Sequence, residues 1–249
     1  TYPKNLQIFD KFILQEYLQY KILDAIYQSR QASKLVFMGG TCLRLIYGNQ
    51  RFSEDLDFDN LGLDEQEFAK LIKFIKQFLD HEGFEVEMRQ TFQAAYHCYI
   101  KFPKILFKLG LTKQKTEKIL IRLDTVSQNF VYQPTKKLIN KFDVFNQILV
   151  FDLGLLLSSK ILAVMQRKTT KGRDFFDIVY LTSLTKPNMS YLQQKLGTND
   201  GTELKKLLLN KCKKLNFEDL ARDVEPFLFD PRQKQRVLSF KSVVEQTNW

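Results

Sequence analysis

The chain has 249 residues, of which 44% are hydrophobic and 22 are phenylalanine, so it can bury a sizeable core as one large domain or two small ones. It contains neither the apolar run of about 18 residues that a membrane span needs nor the pattern of a secretory signal, so we expect a cytoplasmic protein. Its net charge of +10, from 38 basic and 28 acidic residues, favours a polyanionic partner such as a nucleic acid.

The cysteines and histidines argue against two kinds of small-domain framework. Cys42, Cys98 and Cys212 are far apart in the sequence, and only His81 and His97 could join them around a metal. This spacing is not that of a structural zinc site or of a disulfide scaffold, so we expect reduced thiols. With so few imidazoles, an enzyme of this sequence has to use carboxylates, lysine and metal for its chemistry.

The first predicted elements are a helix, a strand and a glycine turn. Apolar residues recur at helical intervals over residues 8–29, and the run from Leu35 to Met38 has the length of a buried strand. Gly39-Gly40-Thr41 then interrupts the apolar run before a short helix. Glycines let a backbone approach a triphosphate closely, and the free N–H groups at the start of a helix, with the Thr41 hydroxyl, can bind phosphate oxygens.

Two acids follow this turn within about 20 residues. Asp55-Leu56-Asp57-Phe58 alternates acid with apolar residue, so a strand here places both carboxylates on one face. Carboxylates are the oxygen ligands that Mg²⁺ prefers, and two such ions about 3.5–4 Å apart can stabilise the attacking and leaving oxygens of phosphoryl transfer. Either motif alone is usually structural, but the two in this order are typical of a metal–nucleotide site.

Further strands and a helix are predicted up to residue 126. Asp64 is placed to cap an amphipathic helix from Glu65 to Asp80, and Phe84 to Met88 alternates as a half-buried strand. Tyr96 to Phe102 and Lys118 to Val126 are predicted as two more strands. Asp124 lies on the same face as Arg122 and Leu120, near the far end of the second of these strands.

The second part of the chain is predicted to be helical. Because the alternating patterns end at Val150, we divide the chain into domains of residues 1–150 and 151–249. Leu153 to Arg167 is predicted as a helix that carries Lys160 on its apolar, inward side. A buried lysine needs a partner such as a triphosphate or an acidic site, unless the side chain snorkels to the surface.

The sequence resembles the AbiEii/AbiGii nucleotidyltransferase toxins, a family within the DNA polymerase beta-like nucleotidyltransferase superfamily. The matching motifs are Gly39-Gly40-Thr41, Leu43-Arg44, the run RFSEDLDF at residues 51–58, the run RDFFD at residues 173–177, and a lead-in helix at residues 15–23. The resemblance is dense over residues 8–60, returns at 117–125 and 153–181, and is weak after 185. Gly-Gly-Thr stands where most of the superfamily has Gly-Ser, and this variant is usual in the toxin branch.

This resemblance implies a fold and a reaction. The fold is the α/β (α+β) nucleotidyltransferase fold, in which a small mixed sheet is backed by helices and an all-helical C-terminal domain closes the nucleotide cleft. The reaction is transfer of a nucleoside monophosphate from an NTP to an acceptor, with release of pyrophosphate and with Mg²⁺ as cofactor. The biological setting is a toxin–antitoxin or abortive-infection system, in which a cognate antitoxin protein restrains the toxin.

The resemblance also assigns roles to individual residues. Asp55 and Asp57 hold Mg²⁺, and Asp124 is expected as the third carboxylate that completes the metal shell or activates the acceptor hydroxyl. Asp59 is the alternative third ligand, because it continues the face of Asp55 and Asp57; we favour Asp124, since a ligand from a neighbouring strand closes the site from another side. The triphosphate is bound by the turn and neutralised by two cations, with one further acid placed in the site: Gly39, Gly40, Thr41, Lys160, Arg173 and Asp174.

The acceptor is left open by the residues themselves. We expect RNA, and specifically the 3′ end of tRNA, because of the basic charge and the cluster Arg167, Lys168, Lys171 and Arg173. The alternatives are a nucleotidyltransferase that modifies a protein side chain or a small molecule such as an antibiotic, and a non-catalytic module that binds nucleic acid. The presence of both Asp55 and Asp57 argues against the non-catalytic alternative.

Overall fold

The computed structural model describes residues 2–92 and 95–249. The chain separates into two compact units. The first comprises residues 1–42, 52–129 and 133–150, and the second comprises residues 43–51, 130–132 and 151–249. The second unit therefore takes two short segments from the N-terminal part of the sequence.

The first unit is built on a mixed sheet of seven strands, counted over the described residues. The strands are β1 (Leu35–Met38), β2 (Leu56–Asn60), β3 (Glu87–Phe92), β4 (Tyr96–Pro103), β5 (Lys118–Val126), β6 (Thr135–Lys141) and β7 (Val144–Val150). Their order across the sheet is β3-β4-β5-β2-β1-β7-β6. The pairs β2/β5 and β1/β7 are parallel, and the other neighbours are antiparallel.

The register at the centre of the sheet brings the acidic strand ends together. β2 pairs with β5 so that Asp57 is opposite Asp124, and β2 pairs with β1 so that Asp57 is opposite Met38. Gly39 follows Met38 directly. Because neighbouring strands lie about 4.8 Å apart, this register alone fixes two carboxylates and the glycine turn within one small region of the sheet.

Helices cover the sheet of the first unit. They are α1 (Asp10–Gln28), which follows a 3₁₀ turn at Lys4–Phe9, α3 (Glu65–His81) and α4 (Ile105–Lys108), while α2 (Gly39–Leu45) begins in the first unit and ends in the second. α1 and α3 contact each other and the sheet, and they bury apolar residues such as Leu18, Ile22 and Phe68 completely. Asp64 caps α3 with a reciprocal capping box to Glu67, which confirms its predicted role.

The second unit is helical. Its helices are α5 (Leu153–Gln166), α6 (Gly172–Thr182), α7 (Met189–Leu196), α8 (Gly201–Cys212), α9 (Phe217–Val224), α10 (Gln235–Leu238) and α11 (Phe240–Gln246), with 3₁₀ turns at Glu225–Phe227 and Pro231–Lys234. Phe175, Phe176 and Phe240 are fully buried in its core. α6 approaches α9 closely at Gly172, where a Cβ atom would lie 1.9 Å from the Leu220 carbonyl oxygen.

The predicted fold class is confirmed, two local predictions need correction, and one element was missed. The strand expected at residues 84–88 begins only at Glu87, and the first helix begins as a 3₁₀ turn rather than as one long α-helix. The hairpin of β6 and β7 was not predicted at all. The hairpin was missed because one of its faces is exposed and carries polar residues, such as Lys136 and Asn140.

Two expectations from composition also have their counterparts in the structure. Cys42, Cys98 and Cys212 are free and buried, and burial raises the pKa of the Cys98 thiol to about 12. Within residues 2–92 and 95–249, none of the helices combines the length and the apolar character needed to cross a membrane.

Candidate active site

The glycine turn and Asp57 fit against each other without space for a side chain. Gly39 has a φ of +78°, and a Cβ atom built there would lie 2.2 Å from Oδ2 of Asp57. Both the left-handed backbone and the close approach require glycine. Asp57 therefore has its carboxylate directly against the backbone that opens α2.

Thr41 fixes the backbone of the other acid in the motif. Its hydroxyl donates a hydrogen bond to the carbonyl oxygen of Asp55, and the whole residue is buried. Gln19 on α1 donates to the neighbouring carbonyls of Ser53 and Glu54, at 2.9 Å each. The Thr41 hydroxyl is thus engaged within the protein, and its contact positions the segment that leads into β2.

Arg122 bridges two of the three predicted metal ligands. Its guanidinium lies 3.1 Å from Oδ2 of Asp55 and 2.8 Å from Oδ2 of Asp124. Burial raises the pKa of the Asp55 carboxyl, the negative charge of Asp124 adds to this effect, and Arg122 opposes it. The site is therefore a cluster of like charges that a cation partly neutralises.

Asp124 has a second partner in His97. The two residues are opposite each other on β4 and β5, and Nδ1 of His97 lies 2.7 Å from Oδ1 of Asp124. Asp59, the alternative third ligand, is buried and accepts a hydrogen bond of 2.7 Å from the backbone N–H of Gln128. The carboxylate of Asp124 therefore contacts the same guanidinium as Asp55, whereas that of Asp59 binds the backbone just after β5. The choice of Asp124 as the third ligand stays a prediction.

The carboxylates of Asp55, Asp57 and Asp124 lie in one region of the sheet, but they do not form a closed ligand shell. No three His, Cys, Asp or Glu side chains in the described part of the chain are grouped tightly enough to hold a metal ion as they stand. Arg122 and His97 were missed by reasoning from sequence. The alternation of β5 did place Arg122 on the face of Asp124, whereas only the pairing of β4 with β5 brings His97 there.

In the second unit, a buried ion network joins two of the sequence motifs. Arg51 donates to both carboxylate oxygens of Asp177, at 2.7 Å from Nε and 2.6 Å from Nη2. Both side chains are almost completely buried. Asn49 also donates to Asp177, at 2.8 Å. Although burial by itself raises the pKa of the Asp177 carboxyl, Arg51 and Lys160 lower it to about 2.

Lys160 belongs to this network. Its Nζ lies 2.8 Å from Asp177 and 3.0 Å from Asp174, and its side chain is 12% exposed. Arg167 also pairs with Asp174. The inward position predicted for Lys160 is confirmed, and an acidic site supplies its charge partner. Burial lowers the pKa of Lys160, but the two aspartates more than offset this and leave it raised.

Arg173, the first residue of the later motif, contacts an aromatic ring. Its guanidinium stacks on the ring of Phe227, with the two centres 4.6 Å apart. The residues of the motif at 173–177 therefore have different partners: Asp174 and Asp177 pair with Lys160, and Arg173 contacts the ring of Phe227. A role for Lys160, Asp174 and Arg173 toward a nucleotide stays a prediction.

Comparison with known proteins settles the family. Residues 21–244 match the sequence profile of the family described as nucleotidyl transferase AbiEii toxin, type IV toxin–antitoxin system. The chain belongs to the AbiEii family. Membership supports transferase activity on an NTP, and a type IV system implies an antitoxin partner. Among curated proteins, no significant match was found.

Solved structures agree with the AbiEii fold. The crystal structure of JHP933 from Helicobacter pylori has a TM-score of 0.59 at 17% identity, over 94% of this chain and 90% of that chain. A proposed nucleotidyltransferase from H. pylori gives the same TM-score and identity, over 94% of this chain and 93% of that one. At this identity the likeness shows a shared fold, and the matched family profile carries the assignment to AbiEii.

We expect Gly39→Ala to disable the site while leaving the fold intact. The new methyl group must displace the Asp57 carboxylate, and misplacement of a catalytic group by about 1 Å costs about a hundredfold in rate. Gly83→Ala is the matched control, because Gly83 has a φ of +84° with no atom within 4 Å of its Cβ position. Both variants bear a left-handed backbone cost of about 1–2 kcal/mol. Nucleotide transfer and thermal denaturation measured together distinguish the two effects, and equal activity in both variants would contradict the assignment.

We expect Asp177→Asn to lower the free energy of unfolding at neutral pH by about 3–5 kcal/mol, because it removes the buried negative charge that Arg51 and Lys160 share. Asp219→Asn is the control, since Asp219 is 62% exposed in its pair with Arg222 and should cost under about 1 kcal/mol.

The ionisation of Asp177 makes the free energy of unfolding depend on pH. Its folded-state pKa of about 2 lies below the ordinary value of 3.8, so its contribution is complete above about pH 4 and is lost as the pH falls toward 2, by about 2 kcal/mol. Denaturant titrations at pH 7 and pH 3 should therefore show a smaller gap between the wild type and Asp177→Asn at pH 3. A gap that widens at low pH would refute the role given to Asp177.

Proposed function

We propose that this AbiEii-family protein transfers a nucleoside monophosphate from an NTP to RNA, releasing pyrophosphate. The observation that supports this most is the pairing of Asp57 on β2 with Asp124 on β5, where Asp57 lies directly against Gly39 and Asp55 immediately precedes β2. This combination offers oxygen ligands for a cation next to the glycine turn that opens α2. It is the arrangement that phosphoryl transfer requires, because the chemistry depends on positioning and on neutralising charge.

The donor set fits Mg²⁺. Three carboxylates supply the hard oxygen ligands that this ion prefers, and the guanidinium between two of them marks a place where positive charge is stabilised. Asp55, Asp57 and Asp124 would hold the ion, which would supply charge neutralisation at the phosphate oxygens. Thr41 and Gln19 hold the segment before β2 in place, and His97 orients the Asp124 carboxylate.

Further residues support the nucleotide half of the proposal. The backbone of Gly39 lies directly against the Asp57 carboxylate, so we assign Gly39 and its neighbour Gly40 to the triphosphate. For Lys160, Asp174 and Arg173 we propose the role toward the nucleotide that the family resemblance implies. The charge of Lys160 is already balanced by two aspartates, so its contribution would come through an ordered network rather than through a free ammonium.

An RNA acceptor, and in particular the 3′ end of tRNA, is proposed from charge. The chain carries a net +10, and Lys168 and Lys171 are exposed in the loop between α5 and α6. A terminal ribose hydroxyl is a suitable nucleophile for the α-phosphate, and extension of a tRNA 3′ end would prevent its aminoacylation. A toxin of this kind would stop growth by modifying few molecules.

The deciding experiment supplies each α-labelled NTP with Mg²⁺ to the protein, together with deacylated tRNA, total RNA or total cell protein. Label on RNA from at least one nucleotide supports the proposal, and the position of the label within the chain shows whether the 3′ end is the acceptor. Label confined to protein or to a small molecule, with all four nucleotides and with deacylated tRNA present, would overturn the RNA acceptor while leaving nucleotidyl transfer in place.

We expect Asp57→Asn to reduce transfer about a hundredfold or more and to abolish toxicity, because it removes charge stabilisation from the reacting phosphate. Asp80→Asn is the control in the same unit: Asp80 is exposed and pairs only with Lys76 among the described residues. Circular dichroism has to show that both variants are folded. Full activity of Asp57→Asn would remove the proposed cation site, and loss of folding would indicate a structural role.

We expect paired charge reversal, Lys168→Glu with Lys171→Glu, to weaken RNA labelling and to flatten its salt dependence. Phosphate contacts of single strands give a log–log salt slope of about −0.7 for each contact, so the loss of two contacts should be measurable. Lys70→Glu with Lys73→Glu changes the net charge equally at two exposed residues of α3. RNA labelling by the two double variants is measured between low and moderate salt. If both variants show the same salt slope, the RNA contact lies elsewhere.

A further inference from the structure

Arg122 occupies an unusual position for a strand residue. It lies on β5 two residues before Asp124, on the exposed side of the sheet, and its guanidinium reaches the carboxylates of both Asp55 and Asp124. In the part of the chain that the structure describes, these are its two ion pairs. Asp57, the third proposed ligand, also acts on it electrostatically.

Arg122 does not use all of its hydrogen-bond donors in this bridge. Only the contact from Nη2 to Asp55 has the geometry of a hydrogen bond, and Nε is buried without a hydrogen-bond partner although Asp124 Oδ2 lies 2.8 Å away. Arg51, in contrast, grips Asp177 with two aligned hydrogen bonds inside the second unit. A fork of that kind is strong and specific, and Arg122 lacks it.

The contact of Arg122 with Asp55 is partly open to solvent. The Arg122 side chain is 42% exposed and that of Asp55 39% exposed, and exposed ion pairs of this kind contribute about 0–1 kcal/mol. The side chain of Asp124 is only 16% exposed, so departure of the guanidinium would leave that carboxylate in need of another cation. A divalent ion at the same oxygens carries twice the charge and binds carboxylates directly, so it can replace the guanidinium.

We propose that Arg122 competes with the divalent cation for Asp55 and Asp124, so that every cation that binds has to displace the guanidinium from these two carboxylates. The inference rests on the proposed function, because it takes the three aspartates as the cation site. Arg122 is then a positioning residue: it keeps like-charged ligands together and sets how tightly the cation is held.

The test compares Mn²⁺ binding, measured by electron paramagnetic resonance of the free ion, across variants of the full chain. Arg122→Gln removes the competing charge and should tighten Mn²⁺ binding about tenfold, a value reduced from the full Coulomb effect because the group is partly exposed. Lys118→Gln is the matched control, because it removes one charge from the same exposed face of β5. It should leave the affinity unchanged.

A second measurement covers folding. Arg122→Gln should melt below the wild type without cation, since its carboxylates repel one another, and should gain more from saturating Mn²⁺, as linkage requires of tighter binding. If Arg122→Gln does not fold, Arg122→Lys decides the matter on the same binding readout, with an intermediate affinity expected because an ammonium pairs less well with two carboxylates.

The outcomes separate this inference from the proposed function. Equal or weaker Mn²⁺ binding by Arg122→Gln, with binding abolished by Asp57→Asn, would overturn the competition and keep the cation site. Binding that Asp57→Asn does not affect would overturn the cation site and the competition with it. Tighter binding by Lys118→Gln to the same degree would reduce the effect to general charge and would also overturn the role of Arg122.

Discussion

The first unit depends on how it holds three carboxylates in one region of its sheet. The parallel pairing of β2 with β5 sets Asp57 opposite Asp124, and Arg122 joins Asp124 to Asp55, which immediately precedes β2. Such a cluster repels itself, so it persists only with compensating charge and with a backbone that cannot relax away. Arg122 supplies the charge. The Thr41 contact to the Asp55 carbonyl and the close fit of Gly39 against Asp57 supply the constraint.

This constraint explains why a short glycine turn and an acidic strand occur together in the sequence. Gly39 is required twice over, by its backbone conformation and by the carboxylate beside it. The same missing side chain allows the backbone to lie directly against the Asp57 carboxylate. Gly39 is therefore needed both for the fold and for the proposed chemistry. Membership of the AbiEii family agrees with this double role.

The second unit solves a related problem in its interior. Asp177 is completely buried, and it is held by Arg51, Lys160 and Asn49. Burying such a network costs free energy, and removing one member costs more, because a buried charge then loses an opposite charge. It also gives a physical meaning to two separated sequence motifs: Arg51, at the start of the acidic motif, and Asp177, at the end of the later one, form a single ion pair.

Reasoning from sequence alone determined the class of fold, the acidic strand, the cap at Asp64 and the inward direction of Lys160. The class of fold was implied by the resemblance to a known family, and the other three follow from local periodicity or from the chemistry of neighbouring residues. Other features were decided only by the tertiary structure. Strand pairing brought His97 to Asp124, and the packing of the second unit paired Lys160 with Asp174 and Asp177. The alternation of β5 indicated the face of Arg122 but not that its guanidinium reaches Asp55, 67 residues away. The physical reason is that partners distant in sequence meet only through register and packing, and neither is written in the local pattern of either partner.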